Sequence, residues 1–213
     1  MNEQLKRAAD AVFAYPDACE RRHDPTGYAN YPSFKPWLRD EFYFRCVYCL
    51  CRERWEANGH HGFSADHIQP RAIRPELASD YDNLLYACVT CNSARQDNQL
   101  PVEPSRESLN KHLQMTCDGS IEPLTDQGAQ LIEICQLNRA ALVGFRRRLQ
   151  AAISTLVPMN SIEAEAILLD IVAFPDDLPN LAALRPPGGN RRPRGVRLCC
   201  HEQRERGELA AFY

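Results

Sequence analysis

Apolar residues recur at helical spacing near the N-terminus of the chain. The segment from Gln4 to Ala14 predicts an amphipathic helix that Pro16 ends. Its apolar face consists of Leu5, Ala8, Ala9, Val12 and Phe13. Ser33 is predicted to cap a second helix, with Pro36 in its first turn. The apolar face of this second helix consists of Phe34, Trp37, Leu38 and Phe42.

The middle of the chain has the pattern of short strands. Phe63-Ser64-Ala65 predicts a strand, and the segment from Tyr81 to Tyr86 predicts its return strand. Residues 68–79 lie between them as a proline-containing loop. The segment from Asn92 to Asn98 predicts the start of a helix. The order is therefore strand, loop, strand, helix.

The pattern changes again after residue 100. Residues 112–117 and 120–124 flank Asp118-Gly119, a pair that favours a tight turn, so a β-hairpin is predicted. A single long helix is predicted next, because apolar residues recur at steps of three and four. They are Ile134, Leu137, Ala141, Phe145, Leu149, Ala152 and Leu156. Asn160 and Glu163 form a capping box for a last helix that reaches Ala173.

Two Cys-x-x-Cys pairs stand in the middle segment. The first pair is Cys46 and Cys49, and the second is Cys88 and Cys91. Four thiolates brought together in a tetrahedron form a closed structural Zn²⁺ site. The spacing therefore predicts one zinc ion that joins the two ends of this segment.

Six further cysteines are interpreted as buried or incidental thiols. They are Cys19, Cys51, Cys117, Cys135, Cys199 and Cys200. Cys199-Cys200-His201 resembles part of a metal site, but no second pair of suitable spacing lies nearby.

An Asp66-His67 dipeptide lies between the two cysteine pairs and is not needed to bind zinc. Imidazole accepts a proton near neutral pH, so His67 is predicted to act as a general base. The Asp66 carboxylate is a hard oxygen ligand of the kind that Mg²⁺ prefers. The pair therefore predicts a site that activates water beside a divalent cation, as phosphodiester hydrolysis requires.

The segment that holds these cysteines and the Asp-His pair resembles the HNH endonuclease motif. The resemblance implies a ββα-metal fold in which zinc is structural and a separate Mg²⁺ or Mn²⁺ ion is catalytic. It implies that His67 activates water and that Asp66 and Asn92 bind the catalytic cation. Asn83 matches the middle residue of the motif, and its implied role is to hydrogen-bond the loop backbone and orient the base.

Two arginines in the same segment are candidates for contact with the phosphate of the substrate. Arg71 follows the Asp-His pair in the loop. Arg95 stands where the HNH family often has Lys, and either cation can pair with phosphate. His60 and His61 lie beside a predicted turn and are interpreted as surface residues.

Bulk composition excludes a strongly basic nucleic-acid binder. The chain has 213 residues and a formal net charge of −3. It has neither an apolar run long enough to span a membrane nor the apolar core of a signal peptide, so a cytoplasmic protein without a membrane partner is expected. From Arg185 to Arg197 every charged residue is an arginine, and such an arm can attract phosphate locally.

The patterns divide the chain into four parts and predict an α+β fold. Residues 1–36 are expected to form a helical and loop extension, and residues 37–100 a ββα-metal core with its zinc site. Residues 101–184 are expected to form the β-hairpin and the C-terminal helices. Residues 185–213 are expected to form an arginine-rich tail.

The predicted function is a metal-dependent endonuclease that hydrolyses DNA with a His-activated water and one divalent cation. A role in anti-phage defence, restriction or a mobile element is expected, together with a regulatory or sensor protein that restrains a toxic activity. Two alternatives stay open, an RNA nuclease and a non-catalytic zinc module that binds nucleic acid or protein. The presence of all four motif residues argues against the non-catalytic module.

Overall fold

A computed structural model describes residues 2–17 and 21–213, so Cys19 lies outside the described residues. The described residues form eight α-helices and four β-strands. The helices are α1 Glu3–Asp10, α2 Lys35–Glu41, α3 Val89–Arg95, α4 Asp126–Ile134, α5 Ala140–Met159, α6 Ile162–Val172, α7 Pro193–Arg197 and α8 Cys200–Glu205. The strands are β1 Phe63–His67, β2 Leu84–Cys88, β3 Leu113–Met115 and β4 Ile121–Pro123. Within this part of the chain, no helix combines the length and the apolar composition needed to cross a membrane.

Strands β1 and β2 form an antiparallel pair at the centre of the fold. Asp66 lies opposite Leu85, and His67 lies opposite Leu84. Every residue of β2 is buried, and α3 follows this strand without an intervening loop and packs on both strands. The predicted ββα order and the α+β fold class are confirmed.

Two boundaries in this core differ from the predicted ones. The return strand begins at Leu84, because the residues before it form a 3₁₀ turn that the Asp80 side chain caps. Helix α3 spans Val89–Arg95, so the predicted helix from Asn92 to Asn98 was placed too late. Its N-cap is Cys88, whose Sγ accepts from the backbone N–H of Cys91 at 3.4 Å. Cysteine is not among the preferred capping residues, so the sequence carries no signal for this start.

The segment before the first cysteine pair packs on the strands. A 3₁₀ turn, Tyr31–Phe34, leads into α2. The turn is capped by Asn30 and not by Ser33, since the Asn30 side chain accepts from the Ser33 N–H. Trp37 and Leu38 of α2 are buried, and α2 packs on β1 and β2. Residues that precede the predicted core thus form part of its wall.

The C-terminal half contains the predicted hairpin but not the predicted single helix. Strands β3 and β4 pair with Met115 opposite Ile121, which confirms the hairpin. The long helix is instead two helices, α4 and α5, that separate at Gln136, where φ is 47°. The backbone N–H of Leu137 returns to the Ile132 carbonyl at 2.9 Å and closes the first helix. The apolar spacing continues across this break, and a left-handed turn without glycine has no clear sequence signal.

The last predicted cap is also shifted by one residue. Asn160 has left-handed backbone geometry and ends α5. Ser161 is the N-cap of α6, because its hydroxyl accepts from the Ala164 N–H at 3.1 Å.

One hydrophobic core joins segments from all parts of the chain, from α1 to the C-terminal region. The arginine-rich tail folds back on the rest of the chain and adds Tyr213 to a second, smaller apolar cluster around Phe44 and Phe174. Arg191 Nε lies 2.9 Å from Asp24 Oδ2, and the Tyr213 ring lies 4.4 Å from that of Phe174. The division into four parts remains a prediction.

Candidate active site

The four cysteines of the predicted zinc site lie together between the α2–β1 connection and α3. Cys46 and Cys49 come from a tight turn that Leu50 closes, with its N–H donating to the Cys46 carbonyl at 3.0 Å. Cys88 and Cys91 stand at the N-terminus of α3. The four Sγ atoms belong to buried residues and lie within 4.8 Å of one another.

This geometry suits a tetrahedral metal ion. Zn–S bonds of about 2.3 Å place neighbouring sulfurs about 3.8 Å apart, and the Sγ atoms of Cys49 and Cys88 are 3.8 Å apart. Burial raises the pKa of the Cys46 thiol, so a thiolate at this position needs a bound cation to offset the loss of water. Within residues 2–17 and 21–213, these four cysteines are the one group of His, Cys, Asp or Glu side chains whose ligand atoms lie this close together. The set can therefore hold a metal ion.

An arginine from outside this segment contacts the cysteines. Arg139, the residue before α5, directs Nη1 and Nη2 at Cys91 Sγ, at 3.6 and 3.7 Å. A divalent ion bound by four thiolates would form a group with a net negative charge, which the guanidinium would partly offset. Such outer contacts orient a ligand and strengthen metal binding. The spacing pattern does not reveal this contact, because Arg139 is 48 positions from Cys91 along the chain.

The Asp66 carboxylate is held at both of its oxygens. Tyr48 donates its hydroxyl to Oδ2 at 2.6 Å. Arg95 Nη1 donates to Oδ1 at 2.6 Å, and the backbone N–H of His67 donates to the same oxygen at 2.8 Å. Asp66 is only 3% exposed, so its position is fixed by the interior of the domain.

The His67 imidazole is oriented by the loop that follows β1. Its Nε2 lies 3.0 Å from the backbone oxygen of Ala78. Because a carbonyl can only accept a hydrogen bond, Nε2 carries the proton and Nδ1 of the neutral ring has the free lone pair. Burial lowers the pKa of His67 below its ordinary value, which favours this neutral form at neutral pH.

Asn83 fixes the same loop at two places. Its side-chain oxygen accepts from the Gln69 N–H at 2.8 Å, and its amide nitrogen donates to the Leu77 carbonyl at 3.1 Å. The same amide nitrogen also donates to the Gln69 carbonyl at 3.2 Å. Leu77 directly precedes Ala78, whose carbonyl holds His67. The structure thus brings Asn83 to the loop backbone.

Asn92 lies in α3 against the end of β1. Its amide nitrogen donates to Ser64 Oγ at 2.9 Å and to the Ala65 carbonyl at 3.3 Å. Ala65 directly precedes Asp66, so Asn92 is anchored beside the residue with which it was predicted to share a cation.

A comparison with known families decides what kind of domain this is. A family model described as HNH endonuclease matches residues 46–98. The matched range contains all four cysteines and the Asp66, His67, Asn83 and Asn92 side chains. Residues 46–98 are an HNH domain.

One curated relative also has an HNH name. It is called retron Vc95 putative HNH endonuclease and comes from Vibrio cholerae serotype O1 biovar El Tor. The two sequences are 31% identical over 88 residues, which cover 37% of this chain and 40% of the relative. The chain thus spans less than half of that relative's length. No solved structure matches the chain.

Two further residues lie close to His67. The Tyr31 ring meets the His67 ring edge to face, with centroids 4.7 Å apart. Arg71 is exposed, and its Cζ lies 4.9 Å from the centroid of the same Tyr31 ring. Tyr31 was missed at the sequence level because it precedes the motif and has no metal-binding or acid–base chemistry.

Arg95 differs from the expectation of an accessible phosphate ligand. Its side chain is 1% exposed and is bonded to Asp66 and to the backbone of Ile68 within the HNH domain. His60 and His61 lie away from this arrangement, at the opposite end of β1. His60 Nε2 is 3.6 Å from Asp177 Oδ2, so the structure does not bring these two histidines to His67.

Proposed function

We propose that the chain is a metal-dependent endonuclease that hydrolyses phosphodiester bonds in DNA. In this proposal His67 takes the proton of the attacking water, and Asp66 and Asn92 hold a single Mg²⁺ or Mn²⁺ ion. Asn83 keeps the loop in place so that His67 stays oriented. The four cysteines hold a structural Zn²⁺ ion.

The orientation of His67 is the observation that carries the proposal. The hydrogen bond from Nε2 to the Ala78 carbonyl leaves Nδ1 as the proton acceptor. A lowered pKa keeps this ring neutral near pH 7, which is the form that a general base needs. A histidine that served only as packing would not need a fixed tautomer beside a held carboxylate.

The donor atoms of Asp66 and Asn92 fit a hard divalent cation. A carboxylate has about four acceptor positions, and three at Asp66 are used by Tyr48, Arg95 and the His67 N–H. The Asn92 amide nitrogen donates hydrogen bonds to β1, while the side-chain oxygen of Asn92 accepts no hydrogen bond from any described residue. When bound there, the cation would supply charge stabilisation to the phosphate and the leaving oxygen.

DNA is the proposed substrate because an HNH domain is present and because an exposed arginine side chain, that of Arg71, lies beside the proposed base. Arg71 is exposed and lies close enough to His67 to lower the pKa of its ring, after the larger effect of burial. A phosphate that pairs with Arg71 would thus approach the base. The retron in the name of the Vibrio relative supports a role in a defence or mobile element, where a partner protein restrains the nuclease.

The test is a cleavage assay with zinc-loaded protein and two substrates. Supercoiled plasmid and RNA of similar length are incubated side by side, with and without added Mg²⁺ or Mn²⁺. We expect nicked or linear plasmid only with the added cation, and slower loss of RNA. Preferential loss of RNA would replace the DNA assignment, and loss of neither substrate at any cation concentration would favour the non-catalytic zinc module.

A further inference from the structure

Arg95 lies at the end of α3 with its side chain turned into the HNH domain. Nη1 donates to Asp66 Oδ1 at 2.6 Å, and Nη2 donates to the Ile68 carbonyl at 3.0 Å. These partners are the residues directly before and after His67. One buried guanidinium therefore holds the chain on both sides of the base.

This position conflicts with a direct contact to phosphate. A cation that binds the backbone of a nucleic acid must be accessible to it, whereas Arg95 is 1% exposed. Both of its Nη atoms are already bonded within the domain. Arg71, by contrast, is an exposed arginine beside the same histidine.

We propose that Arg95 is a positioning residue that fixes Asp66 and His67 and does not contact the substrate. The inference rests on the proposed endonuclease function of this site. Tyr48 holds the second oxygen of Asp66 at 2.6 Å, so Arg95 and Tyr48 together determine where the carboxylate presents its remaining acceptor position. The His67 backbone is fixed in turn, because its N–H donates to the same Asp66 oxygen that Arg95 binds.

The forked shape of the guanidinium is what this role requires. Two different nitrogens of Arg95 reach two partners that lie on either side of His67. A lysine has the same charge but one nitrogen, so it cannot reproduce both bonds with the same geometry. A phosphate contact depends mainly on charge and would largely survive the change to lysine. Arg95→Lys therefore separates the two roles.

The experiment compares lysine and methionine variants at Arg95 with the same variants at Arg71. For Arg95→Lys we expect kcat to fall about 10- to 100-fold, as for loss of an outer contact to a metal ligand, while KM and the affinity for DNA without Mg²⁺ stay unchanged. For Arg71→Met we expect a higher KM and weaker DNA binding, and for Arg71→Lys a smaller change in the same direction. Zinc content and thermal unfolding check that each variant is folded. Arg95→Met leaves Asp66 buried without its counter-ion and can therefore unfold the protein. In that case the comparison rests on Arg95→Lys, which keeps the positive charge.

A second readout does not depend on cleavage. The Mn²⁺ dissociation constant, measured by electron paramagnetic resonance, should rise about 10- to 100-fold in Arg95→Lys, with Asp66→Ala as the variant that lacks the ligand. Wild-type protein that neither binds Mn²⁺ nor cuts DNA would overturn the proposed function. If the wild-type protein binds Mn²⁺ and cuts DNA, two results for Arg95→Lys would overturn the positioning role of Arg95. One is an unchanged kcat and Mn²⁺ affinity, and the other is a loss mainly of DNA affinity.

Discussion

Asn83 is the residue on which the loop beside His67 depends. It makes three hydrogen bonds to the backbone of Gln69 and Leu77 while being 6% exposed. The loop places the Ala78 carbonyl beside the His67 imidazole, so a displaced loop would also displace the ring that is proposed to act as the base. At this scale, function and stability are linked through one amide side chain.

Replacing Asn83 with alanine should reduce both stability and activity. The half-buried backbone groups of Gln69 and Leu77 lose their partner, which costs about 1–3 kcal/mol in the free energy of unfolding. Denaturant unfolding measures this loss, and a cleavage assay at a temperature where the variant is folded measures activity. Asn58→Ala is the matched control, because Asn58 is exposed and makes no capping hydrogen bond. Full activity in a folded Asn83→Ala variant would contradict the link between loop and base.

The sequence was informative about residues whose chemistry is distinctive. Residue type and order drew attention to His67 and Asn83, because few side chains can serve as a base or satisfy a loop backbone in both directions, and their roles stay predictions. Arg95 could not be predicted in the same way. A positive charge suits both a phosphate contact and an internal ion pair, and only burial separates these two roles.

Helix α5 links the C-terminal half of the chain to the cysteine set through Arg139. The guanidinium contacts Cys91 Sγ, which stands in the first turn of α3. This contact depends on the break between α4 and α5, because the turn at Gln136 sets where α5 begins. The apolar pattern concealed that break, so the contact could not be predicted from spacing.

Replacing Arg139 with alanine should make the four-cysteine site release its metal ion faster while leaving the four cysteines able to bind it. Removal of the two N–H···S hydrogen bonds leaves more negative charge on the thiolates, so transfer of zinc to a chromogenic chelator should be about tenfold faster or more. Arg147→Ala is the control, since Arg147 is exposed on the same helix. Equal zinc release from both variants would show that Arg139 has no role at the metal.

At the scale of the whole molecule, the C-terminal tail packs back on earlier parts of the chain. Arg191 pairs with Asp24, and Tyr213 packs on Phe44 and Phe174. Composition alone predicted an arm that attracts DNA, because a run of arginines does not reveal which of them meet carboxylates in the fold. Arg185, Arg194 and Arg197 remain exposed and are available for the contact with DNA that the hypothesis requires.

Deleting residues 185–213 should therefore destabilise the protein as well as alter DNA binding. The thermal midpoint should fall by more than about 5 °C, since a loss of roughly 2 kcal/mol already shifts a chain of this size that far. A double variant, Arg194→Ala with Arg197→Ala, should keep the midpoint. If the tail pairs with DNA phosphates, this variant should flatten the salt dependence of binding by about one unit of slope for each arginine–phosphate pair that it removes. An unchanged salt slope would remove Arg194 and Arg197 from the DNA interface.

The most direct test of the proposed mechanism is the response of three alanine variants to Mn²⁺. His67→Ala should lower the cleavage rate about 10²- to 10⁴-fold, as expected for loss of a general base, with fold, zinc content and DNA binding unchanged. Asp66→Ala and Asn92→Ala should also stop cleavage, because each substitution weakens cation binding. A higher Mn²⁺ concentration should therefore partly restore cleavage by these two variants. Raised Mn²⁺ should not restore His67→Ala, because a cation does not replace the proton acceptor. Near wild-type cleavage by His67→Ala, or its recovery with Mn²⁺ to the same extent as the other two variants, would contradict the assignment of His67 as the base.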